Sequence, residues 1–97
     1  MTDDHRLTMR QSQIVGIVQG SIRSEGHQLH RRVVRDVVRD TLGAIGQVLR
    51  GGQNVNFRGF GTFYVHDFRG RKGLKPTLPR KQPKFRAGRS LKATLNA

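Results

Sequence analysis

The residues best equipped for chemistry in this chain are its cations, and they are unevenly spread. The 97 residues include nineteen Lys and Arg against six Asp and Glu, a formal net charge of +13. Residues 1–57 carry eight basic and five acidic side chains; residues 58–97 carry eleven basic ones and a single acid, Asp67. Those eleven are Arg58, Arg69, Arg71, Lys72, Lys75, Arg80, Lys81, Lys84, Arg86, Arg89 and Lys92. Guanidinium and ammonium groups serve phosphate oxygens well, and a field this concentrated captures a polyanion quickly. Nucleic acid is therefore the first candidate partner, and an anionic membrane surface the second.

Other chemistries have little to stand on. His27 and His30 form an i, i+3 pair with no carboxylate or cysteine at ligand spacing, so no metal site is expected. His66 and Asp67 are neighbours in a strand-like stretch, and their side chains point to opposite faces. Gly59 and Gly61 do not open a helix, so they make no dinucleotide loop, and there is no phosphate-binding Walker sequence. The chain contains no cysteine, which excludes disulfides and thiolate ligands. These readings exclude an enzyme and imply no cofactor.

The elements that must position the cations follow from periodicity. Thr8 with Gln11 reads as a capping box, and Ile14, Val15, Ile17, Val18 and Ile22 follow with helical spacing, predicting a helix over roughly 9–21. Gly20, Ser21, Ser24 and Gly26 interrupt that pattern. From Leu29 to Leu49 apolar residues recur in steps of three, four and one, which predicts a second helix ended by Gly51-Gly52. On its polar side Arg32 and Asp36 stand one turn apart and can pair.

Beyond the glycines the period drops to two. Val55 and Phe57 alternate with polar residues, Gly59-Phe60-Gly61 allows a tight turn, and Thr62 to Phe68 is β-branched and aromatic, predicting two strands of a hairpin. From Arg69 to Gln82 Gly, Pro, Lys and Arg dominate, which predicts a projecting flexible basic arm, and Pro83-Lys84-Phe85 returns to the body. Gly88 precedes a last short helix, Arg89 to Leu95, with Leu91 and Leu95 facing inward. The division expected is a tail at residues 1–8 and one domain at residues 9–97, with the arm at about 69–82. No stretch reaches the ~18 apolar residues of a membrane span, and the polar start is unlike an export signal, so a cytoplasmic location is expected with no membrane partner.

The string Gly59-Phe60-Gly61-Thr62-Phe63, the basic arm and then Pro83-Lys84-Phe85-Arg86-Ala87-Gly88-Arg89-Ser90-Leu91-Lys92 resemble the HU/IHF family of bacterial histone-like DNA-bending proteins. Upstream, Ile14-Val15-Gly16-Ile17-Val18, Thr41-Leu42-Gly43-Ala44-Ile45 and Leu49-Arg50-Gly51-Gly52-Gln53-Asn54-Val55 resemble its two helices and the lead into its first strand. The resemblance covers about residues 9–96. It implies an α+β fold: an intertwined dimer with two N-terminal helices, a three-stranded antiparallel sheet with a protruding β-ribbon arm, and a short C-terminal helix.

The function that the resemblance implies is architectural, namely binding of double-stranded DNA through backbone and minor groove, with bending and compaction and little sequence preference. It also implies nucleoid association and a homodimer, with a heterodimer the other option. Leu42, Ile45, Phe60, Phe63 and Phe85 are the expected dimer core. The eleven cations are the expected DNA contacts, with Pro76 as the candidate wedge into the groove. Pro76 has a second reading beside Pro79, as a blunt on an exposed strand edge. Three departures from the family stand out: residues before Met9, a longer connection between the helices, and a shorter arm that has Gly70-Arg71-Lys72-Gly73-Leu74-Lys75-Pro76 where the family has Arg-Asn-Pro. The alternative from another class is a small basic RNA-binding or ribosome-associated protein. Against it stands the lack of solvent-facing aromatic pairs in the predicted sheet.

Overall fold

A computed structural model describes residues 7–97, so residues 1–6 of the expected tail lie outside the described residues. In order along the chain it has helices α1 (Gln11–Ser24) and α2 (Arg31–Arg50), strands β1 (Val55–Phe57), β2 (Gly61–Phe68) and β3 (Arg80–Ala87), and helix α3 (Arg89–Leu95). The strands form one antiparallel sheet in the order β1-β2-β3. This is the expected α+β architecture. By packing, the chain divides into a unit ending at Leu42 and a second unit, Gly43–Ala97.

In the first unit α1 starts later than the Thr8 and Gln11 spacing suggests. Arg10 is the N-cap, and its backbone N–H donates to Gln13 Oε1 at 2.8 Å. Arginine has no acceptor to offer in return, so only the Gln13 half of a capping box is made. The helix also runs through Gly20 and Ser21, because Ile22 keeps the apolar period and is half-buried. It closes where the His27 N–H donates to the Ile22 carbonyl and the Gly26 N–H to that of Arg23; Gln53 and Gly52 close α2 in the same way on Val48 and Leu49.

Val15 of α1 and Val34 of α2 are each 1% exposed, the most buried large side chains among the described residues. Arg31 crosses to α1, where its Nη2 donates to the Ser12 carbonyl at 2.7 Å. Ile17, Val33 and Val37 remain exposed. Asp36 pairs with Arg39 and Arg35, at 3.4 Å each, and not with Arg32. Helical side chains lean toward the N-terminus, so Arg39 reaches back to Asp36 while Arg32 leans away from it.

In the second unit the sheet register is Val55–Phe63 and Phe57–Gly61 between β1 and β2, and Phe63–Phe85 and Val65–Pro83 between β2 and β3. Alternation then places Val55, Phe57, Phe63, Val65, Pro83 and Phe85 on one face. Phe63 and Phe85 have ring centres 4.8 Å apart, Phe60 joins Phe85 at 5.4 Å, and Phe57 meets Phe63 edge-on at 6.2 Å. Gly61 is buried beneath this cluster, and a Cβ there would sit 2.6 Å from the Phe85 ring, so no larger residue fits. Val65 and Pro83 share a hollow of about 360 Å³ with Gly46 and Leu49 at the end of α2.

Of the expected dimer core, Ile45 and Phe63 are half-buried within one chain, whereas Leu42, Phe60 and Phe85 are 55%, 47% and 41% exposed. Strand β3 begins at Arg80, earlier than the return expected at Pro83. It is an edge strand, where the missing N–H of Pro83 is tolerated. Helix α3 has the expected bounds and Leu91 is half-buried, but Leu95, expected to face inward, is 75% exposed on the last turn.

Candidate nucleic-acid interface

The pleat of β2 and β3 sorts the cations. Opposite the aromatic face lie the pairs Thr62–Arg86, Tyr64–Lys84, His66–Gln82 and Phe68–Arg80. This face gathers Arg80, Lys84 and Arg86 with no acid among its pairs. Lys81 falls on the other face, directly across from Asp67, so the structure separates it from its neighbour Arg80. His66 and Asp67 diverge as alternation requires.

Two aromatic rings support the basic face. The guanidinium carbon of Arg86 lies 5.2 Å from the Tyr64 ring centre, and that of Arg80 lies 4.6 Å from the Phe68 ring centre. Such contacts hold a long side chain upright, and the Gln82 side-chain oxygen steadies Arg80 further by accepting from its Nε at 3.2 Å and its Nη2 at 3.1 Å. Sequence reasoning misses both rings, because it places them in the strand from Thr62 to Phe68 and gives a role only to Phe60, Phe63 and Phe85, as core. Strict alternation from Phe63 would have placed Tyr64 and Phe68 with Thr62 and Asn56 on the polar side. The face therefore does carry aromatics, contrary to expectation, but each is half-buried beneath an arginine and offers no open platform for a base.

At the base of the ribbon Arg58, Arg86 and Arg89 line a hollow of about 400 Å³ together with Asn56, Thr62 and Ser90. Asn56 Nδ2 donates to Thr62 Oγ1 at 2.6 Å, which fixes both side chains. Gly88, before α3, donates its N–H to the Phe60 carbonyl at 2.7 Å and so holds Arg89 beside the turn that carries Arg58. Lys92 is exposed one turn along α3 and lines neither this hollow nor the ribbon face.

Beyond the Phe68–Arg80 pair the ladder lapses at Arg69-Gly70 and Leu78-Pro79, then resumes at Arg71–Thr77 in the same register. The Arg71 N–H donates to the Thr77 carbonyl at 3.2 Å and to its Oγ1 at 2.9 Å, and the Thr77 N–H returns a bond at 3.0 Å. This pair closes a five-residue tip, Lys72-Gly73-Leu74-Lys75-Pro76. Gly70 has φ +86°, and a Cβ there would strike the Thr77 carbonyl, so the approach to the tip requires glycine. Leu74, in the middle of the tip, is fully exposed at 104%, while Pro76 is exposed beside the closing pair. Arg69, Arg71, Lys72 and Lys75 are all exposed around them.

Among the described residues no group of three or more His, Cys, Asp or Glu converges, and no helix is long and apolar enough to cross a membrane. The arrangement offers donors and positive charge along an extended ribbon, suited to holding phosphate oxygens.

Comparison with known proteins agrees with this chemistry. The family model described as bacterial DNA-binding protein matches residues 9–96. The chain is 33% identical over 76 residues to DNA-binding protein HU-beta 2 of Neisseria meningitidis, covering 71% of this chain and 84% of that one. It is 33% identical over 70 residues to the integration host factor subunit beta of Histophilus somni, covering 65% and 74%. In three dimensions it is similar to Anabaena HU in an HU–DNA cocrystal structure, with a TM-score of 0.78 at 19% identity, over 90% of this chain and 97% of that one. A match over nearly the whole described chain, with the same order of helices, ribbon and closing helix, makes this protein a member of the bacterial DNA-binding protein family to which HU and the integration host factors belong.

Proposed function

We propose that the protein is an architectural dimer that binds duplex DNA through backbone and minor groove, with little sequence preference, and bends and compacts it. The observation that carries this reading is the β2–β3 register, which lines Arg80, Lys84 and Arg86 along one face and leads to a tip rich in cations. Phosphate neutralisation then supplies most of the affinity, and deformability of the duplex supplies any preference. Arg58 and Arg89 extend the same surface at the base of the ribbon. Lys81 and Lys92 add to the field without sharing that face.

A second copy supplies the missing core. Leu42, Phe60 and Phe85 are too exposed for large apolar groups, and a self-complementary partner covers them together with Ile45 and Phe63. The tip is the part that enters the groove, where an apolar side chain unstacks a base step at a cost of a few kcal/mol, offset by the basic surface that the bent duplex then meets. Leu74 and Pro76 are the two candidates. The role is binding, not catalysis, and the location that fits it is the nucleoid.

A mobility-shift competition among linear duplex, nicked or pre-bent duplex and structured RNA, with sedimentation alongside, tests this function. Preference for the nicked or bent duplex by a dimer is expected. Preference for the RNA would replace this reading with the ribosome-associated one.

A further inference from the structure

The connection between α1 and α2 forms a hollow of about 470 Å³ lined by Gln19, Arg23, His27, Gln28, Leu29 and His30, none of which belongs to the ribbon. Its shape is held from both sides. Gln19 Nε2 donates to the Leu29 carbonyl at 3.0 Å and pins the connection to α1. At the other end the Arg32 backbone N–H donates to His30 Nδ1 at 3.0 Å, so His30 caps α2 with its ring.

That cap fixes the chemistry of the hollow. A backbone N–H can only donate, so His30 Nδ1 accepts, and in the neutral ring the proton resides on Nε2. The remaining nitrogen of His30 is therefore a donor, unfit to ligate a metal ion without losing its proton. Arg23 contributes fixed positive charge and only donors, and the Gln28 amide can add two more. Arg31 is committed to Ser12, and Glu25, the nearest acid in sequence, does not line the hollow. A concave site that gathers a guanidinium and two imidazoles, with no carboxylate in its lining among the described residues, suits an oxyanion better than a cation.

We propose that this hollow binds a phosphate of the DNA backbone, as a contact additional to the ribbon and present once per chain. The choice of DNA as the source of that phosphate rests on the function proposed above; the choice of an oxyanion does not.

The test is nuclear magnetic resonance of the imidazole groups in the full dimer, with His66 on the ribbon face as internal reference. Three probes are added separately: inorganic phosphate, a duplex long enough only for the ribbons, and a duplex several times longer. The long duplex is expected to shift His27 and His30 saturably, and the short one to shift His66 alone. Replacing Arg23→Gln and His27→Gln together, both exposed and outside the His30 cap, should lower the salt-dependence slope on the long duplex by about two units, one for each hollow of the dimer, and leave the short-duplex slope unchanged. Unmoved His27 and His30 signals beside a shifted His66 would overturn the proposal. Shifts with inorganic phosphate but not with the long duplex would overturn DNA as the ligand. A motionless His66 with shifted His27 and His30 would support the hollow and count against the ribbon.

Discussion

Arg80 lies over the ring of Phe68, its cross-strand partner at the last pair of the β2–β3 ladder, with 4.6 Å between guanidinium carbon and ring centre. The ring holds the side chain where the strands give way to the tip. A charge held in place loses less freedom on meeting a phosphate than one on a free stem.

Replacing Phe68→Leu keeps an apolar residue but removes the aromatic face. An exposed contact of this type contributes about 0.5–1 kcal/mol, so affinity for duplex DNA should fall about two- to fivefold. The salt slope should stay the same, because every cation is retained. Titrations at several salt concentrations measure both quantities, and unchanged affinity would mean that the ring does not help Arg80 bind.

Removing three tip cations together, Arg71→Ala, Lys72→Ala and Lys75→Ala, should flatten the dependence of log affinity on log salt. The slope is expected to fall by roughly one unit for each phosphate that is no longer neutralised. An unaltered slope would place the DNA-binding surface away from the tip.

The tip offers two apolar groups, and their positions rank them. Composition favours Pro76, which is rigid and lacks a donor, but Leu74 stands in the middle of the loop and Pro76 beside its closing pair. Leu74→Ala is expected to remove more of the bend than Pro76→Ala, read by end-to-end fluorescence transfer on a short duplex. Affinity for straight DNA should change little in either variant. Equal bending by both variants and the parent would show that neither residue acts as a wedge.

Truncating Phe63→Ala removes the ring that links Phe57 to Phe85. Once a second copy covers the cluster this should cost about 3–5 kcal/mol, and the melting temperature should depend more steeply on protein concentration. Scanning calorimetry over a wide range of protein concentration measures it. A variant that melts at the parent temperature would show that Phe63 is not in the core of the folded assembly.

Element order was legible because the hydrophobic period changes from helical to alternating at Gly51-Gly52, and α3 because Gly88 marks its start. The beginning of α1 was not, since Gln11 and Gln13 both have capping chemistry nearby and only geometry shows that Gln13 reaches back. Arg80 and Lys81 look equivalent in sequence. Only the register, fixed by Phe63 opposite Phe85, sends one to the basic face and the other toward Asp67. The exposed state of Leu42, Phe60 and Phe85 likewise belongs to a single chain, and periodicity marks a residue as apolar without saying which surface will cover it.

The Arg71–Thr77 pair makes the tip a closed module on a stem of adjustable length. Each residue added to both strands below it would extend the reach by about 3.4 Å. A single added pair would also turn the whole tip over, because successive residues face opposite ways. Only additions or deletions of two residues per strand preserve which side Leu74 presents. Arm length in such a ribbon can therefore drift only in even steps, and a shortened arm can keep its working tip intact.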